Sequence, residues 1–200
     1  WRFYQNAELI FENAQVPHAN VVGDVNGAGR KLGAQTDSGG GDIFGDLELA
    51  ANALGVCDAA CEFAMKYART TKQGGKYLAE QQLIQLKLNR MYILTEALRS
   101  YVMRSAWEHD QKLHSPNAAL VMNYSEECIQ TVTELGLEVC GAAGGVAHAA
   151  AEKLVRDSII WTHLAADNVQ RFRVTQRLIK MADDIERKAR EAGPTLTAAE

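Results

Sequence analysis

The 200 residues, 47% hydrophobic and 23% charged, suffice for one domain with a sizeable core, or for one domain and the edge of another. A formal charge of −4 speaks against nucleic acid as a partner, because holding phosphates requires a net basic surface. No apolar run approaches the roughly 20 residues that span a bilayer and no signal-peptide pattern opens the chain, so the expectation is no membrane and a cytoplasmic (or organelle-matrix) location.

Trp1 begins the chain in what reads as mid-structure. Arg2-Phe3-Tyr4 and Ala7–Asn13 alternate as a strand does, yet a lone strand cannot bury its apolar face. Residues 1–24 are therefore read as part of a sheet completed elsewhere: the chain is a C-terminal piece, or another chain completes the sheet. Residues 25–42 read as a Gly-rich linker, with Gly27, Gly29, Gly33, Gly39, Gly40 and Gly41 and almost no aliphatic periodicity. Its run GDVNGAGRKLG lacks the G-K-[ST] ending and the strand-to-helix setting of a phosphate loop.

From Ile43 the pattern turns helical. Phe44, Leu47, Ala51, Leu54, Ala59, Phe63 and Tyr67 recur at spacings of three to five, until Gly74-Gly75 break the run. A second helix is predicted over about Glu80–Gln111, with Leu83, Leu86, Ile93, Leu94, Leu98 and Met103 as its apolar stripe. Ser115 and Pro116 supply a cap and a favoured first position for a third helix running to about Cys140. After Gly141, Gly144 and Gly145 come a shorter helix near Ala149–Trp161 and a last one near Ala165–Ala192, stopped by Gly193-Pro194, with 193–200 as a tail. Helices near 30 residues are roughly 45 Å long and pack most simply as antiparallel neighbours. The predicted fold class is mainly α: an antiparallel four-helix-type bundle over 43–192, preceded by a short β segment. Cys57, Cys61, Cys128 and Cys140 fall in these helices and read as small buried residues of a reducing compartment, since no second Cys/His pair has metal-ligand spacing.

Five patterns in chain order carry a resemblance. They are LIFENAQVPHANVVGD (Leu9–Asp24); Ala53-Leu54-Gly55; Tyr67-Ala68 with Gly75-Lys76 and Gln82; the glycines Gly141 and Gly144; and EKLVRD (Glu152–Asp157) followed by Gln170-Arg171. Together they resemble the C-terminal part of the acyl-CoA dehydrogenases, from the end of the middle β-domain through the helical domain. The resemblance implies FAD as cofactor, an acyl-CoA thioester as substrate in fatty acid or acyl-CoA catabolism, and homo- or hetero-oligomers of acyl-CoA dehydrogenase subunits. It further implies a carboxylate base, which must lie within reach of the carbon acid in a dry pocket.

The departures matter as much. Counting back from Gln170-Arg171, the usual base glutamate is Leu164, and leucine accepts no proton. A rarer version of the family places the glutamate early in the first long helix, where Asp46 and Glu48 stand. Asp167 is a further nearby carboxylate, and His163 a further titratable neighbour. Asp46 and Glu48 also suit a helix start, where the dipole favours acidic residues. Among the cofactor contacts, the family's arginine is Thr71, its phenylalanine Gly74, its glutamine Glu138 and its post-glycine aromatic Gly145. Lys72, Glu138, Gly141 and Gly144 remain as the cofactor-facing positions, with Lys72 a point charge rather than a bidentate fork and Glu138 opposing a nearby phosphate. The joint loss resembles a non-catalytic or half-site subunit of a heteromeric acyl-CoA dehydrogenase, with FAD held mainly by a partner chain. The alternatives are a self-sufficient oxidoreductase with a relocated carboxylate, or a flavin-free helical scaffolding module.

Overall fold

A computed structural model describes residues 7–20, 43–113, 115–147, 149–165 and 168–192. Five α-helices dominate them: α1 (Ile43–Thr70), α2 (Gln82–Asp110), α3 (Asn117–Cys140), α4 (Ala150–Ala165) and α5 (Asn168–Ala192). Between α1 and α2 lie two short strands, β1 (Lys72–Gln73) and β2 (Lys76–Tyr77), paired antiparallel with Lys72 opposite Tyr77. Gly74 and Gly75 close this hairpin with φ of 63° and 83°. Two consecutive positive φ values are what a tight two-residue hairpin needs and what side chains with a Cβ resist.

The helix pattern matches the sequence reading to within a few residues, and the four cysteines are buried and free. Among the described residues the only strand pairing is β1–β2, where the sequence reading has a glycine break. Ala7–Asn13 pairs with no other described segment, and Leu9, Ile10 and Phe11 are 76%, 75% and 77% exposed.

The core is built on the face of α1 formed by Ala50, Ala53, Cys57, Ala60, Ala64 and Ala68, all buried. These small side chains let α1 approach α3 closely, and α1–α3 is the most extensive helix pairing. At the contact, a Cβ on Gly136 would stand 3.7 Å from the Ala60 carbonyl and 3.4 Å from Met91 Cε, so the fit leaves little slack. Specific pairs fix the helix directions. Arg99 Nη2 reaches Asp58 Oδ1 at 2.5 Å, and Cys61 Sγ lies 3.4 Å from Thr95 Oγ1, setting α2 against α1. Lys87 with Glu138 at 2.7 Å, and Tyr101 donating to Asn117 at 3.1 Å, set α3 against α2. Thr133 with Ser158 (3.2 Å) and Gln130 donating to Thr162 (2.9 Å) set α4 against α3.

The buried face of α2 corrects the expected stripe. Ile84, Leu88, Met91, Leu94, Leu98 and Val102 point inward, whereas Leu83, Leu86, Ile93 and Met103 are 67%, 67%, 52% and 65% exposed. An apolar pattern on two sides of a helix does not say which side the neighbours take. Uncovered apolar surface also continues on α4 (Ile159, Ile160) and α5 (Phe172, Ile179, Ile185). By contrast, α3 is sealed by α1, α2 and α4.

Trp161 closes the bundle. Its side chain is fully buried, and its indole N–H donates to the Leu49 carbonyl at 3.1 Å, joining positions 112 residues apart. At the α2–α3 corner, Glu108 accepts from Asn117 Nδ2 (2.7 Å) and Arg104 Nε (2.9 Å). Hydrogen bonds from Ser115, Asn117 and Arg104 together hold its carboxyl below the usual range. Two outcomes are expected. Trp161→Ala lowers urea-measured stability by about 3–5 kcal/mol through the cavity it leaves, while Trp161→Phe costs about 1–2 kcal/mol, the Leu49 carbonyl losing its donor. Because the folded Glu108 pKa is depressed, its contribution is present above the unfolded value and lost as pH falls through the folded one. Melting temperatures from pH 6 down to about 3 therefore fall less steeply in Glu108→Gln than in the parent.

Candidate functional site

The helix directions sort the sequence-predicted residues into two groups at opposite ends of the bundle. One end holds the start of α1 and the end of α4. Asp46 lies in the first turn of α1 and Glu48 follows it. Leu164 and His163 lie in the last turn of α4. Asp167 lies outside the described residues. The Trp161–Leu49 hydrogen bond brings these helix ends together, three residues before Leu164 on one side and one residue after Glu48 on the other. Glu48 is exposed and has no ion-pair partner among the described residues; His163 is exposed too. Sequence reading missed Trp161, whose signal was a tryptophan inside an amphipathic helix with no other reason to be there.

Arg171, the arginine of the Gln170-Arg171 pattern, ties α5 to α3. Its guanidinium binds Glu126, reaches Glu127 Oε1 at 3.3 Å and donates to the Asn123 carbonyl at 3.4 Å. EKLVRD is an ion-pair ladder: Lys153 pairs with the buried Asp157, and Arg156 donates to Glu152 at 2.6 and 3.0 Å. Arg171 docks α5 on α3, whereas the EKLVRD pairs lie within α4 itself.

The opposite end gathers Lys72, Glu138, Gly141 and Gly144 on the hairpin, the last turn of α3 and the turn Gly141–Gly145 that follows. The Lys72 ammonium sits 4.6 Å from the centre of the Tyr77 ring, a cation–π contact across the hairpin. Thr71, in the place of an arginine, is bound by its backbone: its N–H donates to Tyr67 and its carbonyl accepts from Leu78. Gly74, in the place of a phenylalanine, is fixed by the positive φ of the turn. Glu138 is not the bare anion its sequence position suggests, for Lys87 Nζ holds its Oε2 at 2.7 Å.

The glycines differ in what they do. Gly141 caps α3 at φ 56°, ψ −141° with open space where a Cβ would stand, and Gly145 is similarly open. At Gly144 a Cβ would meet Cys140 Cβ at 2.8 Å and the Leu137 carbonyl at 3.1 Å, so that glycine serves packing. Along α1, the 22 residues from Glu48 to Thr70 span roughly 33 Å at 1.5 Å per residue. A shallow groove of about 380 Å³ lined by Glu62, Met65, Lys66, Arg69, Thr70 and Tyr92 includes none of the predicted residues. Among the described residues no cluster of metal-ligating side chains occurs, and no helix is long and apolar enough to cross a membrane.

The described residues thus form a helical-bundle domain, with a docking tryptophan at one end and a glycine turn beside a lysine hairpin at the other. Residues 45–179 match the model of the acyl-CoA dehydrogenase C-terminal domain, and the chain belongs to the acyl-CoA dehydrogenase family. It is similar to the mitochondrial short-chain specific acyl-CoA dehydrogenase of Bos taurus, 30% identical over 90% of this chain and 42% of that protein. A probable acyl-CoA dehydrogenase of Bacillus subtilis is 27% identical over 87% of this chain and 45% of its own length. Among solved structures, butyryl-CoA dehydrogenase from Megasphaera elsdenii superposes with a TM-score of 0.65 and 26% identity, over 68% of this chain and 36% of that one. The chain thus spans less than half the length of the relatives it matches. PigA, solved as an FAD complex, superposes with a TM-score of 0.60 at 19% identity, over 64% of this chain and 34% of that one.

The glycines give a direct test of the turn. Gly144→Ala is expected to cost about 1–3 kcal/mol in chemical denaturation because a backbone carbonyl and Cys140 must move. Gly145→Ala, facing open space, changes stability by less than about 0.5 kcal/mol.

Proposed function

We propose that the protein is an FAD-dependent flavoprotein of the acyl-CoA dehydrogenase type, acting on the α,β-bond of an acyl-CoA thioester, and that this chain supplies only half of a site. The observation behind the proposal is the separation of the two groups. The base-side residues and the cofactor-side residues lie at opposite ends of α1, farther apart than a flavin ring and its own pyrophosphate. One copy cannot place both on a single cofactor, so each site combines ends from different subunits. The uncovered apolar residues on α2, α4 and α5 suit such an assembly of homo- or hetero-oligomeric subunits.

The cofactor-side residues fit one edge of FAD. Gly141 and Gly145 leave space for backbone to approach a pyrophosphate, and Lys72 brings positive charge without a bidentate fork. When bound, FAD supplies the hydride acceptor. Position 164 contributes no proton acceptor, and Thr71 and Gly74 contribute no side-chain contact of the family's kind. This assigns the chain to the non-catalytic or half-site role, with a partner chain providing the base and most of the cofactor's contacts.

A second reading is favoured by Trp161. That residue holds the end of α4 against the start of α1, so Glu48 flanks position 164 with no ion-pair partner among the described residues. On this reading Glu48 is the relocated base of a self-sufficient enzyme. The two readings separate in one experiment: mix the purified complex with an acyl-CoA and follow loss of the visible flavin band. In the half-site reading Glu48→Gln bleaches within about twofold of the parent rate. If Glu48 is the base, the rate falls by about 10²–10⁴-fold. A colourless preparation with every candidate partner rules out both.

A further inference from the structure

We propose that Lys87 is a phosphate-facing residue at the hairpin end of the bundle: it cancels the charge of Glu138 and presents its remaining ammonium donors to the pyrophosphate of a dinucleotide cofactor. The inference rests on the reading above that this end lines a neighbouring subunit's FAD. Glu138 and Gly141 are three residues apart, so they share one face at the end of α3. A phosphate approaching the open space at Gly141 would meet the Glu138 carboxylate at close range, and like charges at that distance repel.

The structure answers that repulsion from a different helix. Lys87 Nζ lies 2.7 Å from Glu138 Oε2, which makes the pair neutral. Lys87 sits between the buried Ile84 and Leu88 along α2. Its side chain is only 24% exposed while that of Glu138 is 55% exposed, so the ammonium is the better fixed of the two. An ammonium has three N–H donors, and Glu138 Oε2 takes one of them. The other two are available to an anion. Lys72 lies over the Tyr77 ring, and Thr71 is uncharged. Lys87 is thus the cation anchored nearest to Glu138, and nothing in the resemblance marks it.

The experiment uses the protein purified with its partner subunits, stripped of flavin and titrated with FAD while flavin fluorescence is followed. Melting temperature without flavin is recorded in parallel. Lys87→Met is expected to weaken FAD binding by about tenfold, because it removes a cation and exposes the carboxylate together. Glu138→Gln tightens binding by about threefold, and the double substitution returns it to within about threefold of the parent. If the pair serves packing alone, Lys87→Met lowers the melting temperature but leaves the FAD dissociation constant within about twofold, and the proposal is wrong. Should Lys87→Met fail to fold, an unchanged FAD constant in Glu138→Gln, on the more exposed partner, overturns the proposal equally. Parent complex that takes up no FAD removes the half-site reading as well; FAD bound with indifference to all three substitutions removes only the role of Lys87.

Discussion

Close approach of α1 to α3 through side chains no larger than alanine or cysteine determines where everything else can be. With Ala50, Ala53, Cys57, Ala60 and Ala64 on the contact face, α1 runs alongside α3 at van der Waals distance, a Cβ on Gly136 standing 3.7 Å from the Ala60 carbonyl. The larger apolar residues, Ile129, Val132, Leu98 and Met91, fill the space around that seam. Alternating direction then follows from α2 and α4 packing beside it, each pinned by cross-helix hydrogen bonds. A longer side chain on that face of α1 would push the helices apart and move both ends of the bundle with them.

Function depends on the ends, and the bundle holds them apart as a rigid rod does. At one end Trp161 locks α4 to α1 by a single buried donor and a large buried ring, which fixes the helix terminus that carries Leu164. At the other end Gly74 and Gly75 turn a hairpin that a phenylalanine would strain, and Lys72 stacks across it.

Charge tells the same story in a smaller compass. Glu138 looks damaging to a cofactor site in the linear sequence, because its partner lies 51 positions earlier, on another helix. Once Lys87 is in place the local charge is neutral. The Arg171 contacts to Glu126 and Glu127 likewise make that arginine a docking point for α5.

Much of this was legible in the sequence. Helix periods, the Ser115-Pro116 start, the glycine stop after Cys140 and the buried cysteines are consequences of local chemistry, so a linear reading finds them. The order of the motifs identified the family, because spacing survives when single residues drift. The inward face of α2 was not legible: apolar residues occur on two sides, and only the neighbouring helices decide which side loses its water. The Trp161 clamp, the Lys87–Glu138 pair and the placement of Glu48 and Glu138 at opposite ends all join residues far apart in the chain or depend on helix direction. Sequence spacing fixes which groups exist and how far apart they lie along the chain; only packing, by choosing the direction of each helix, fixes which of them meet.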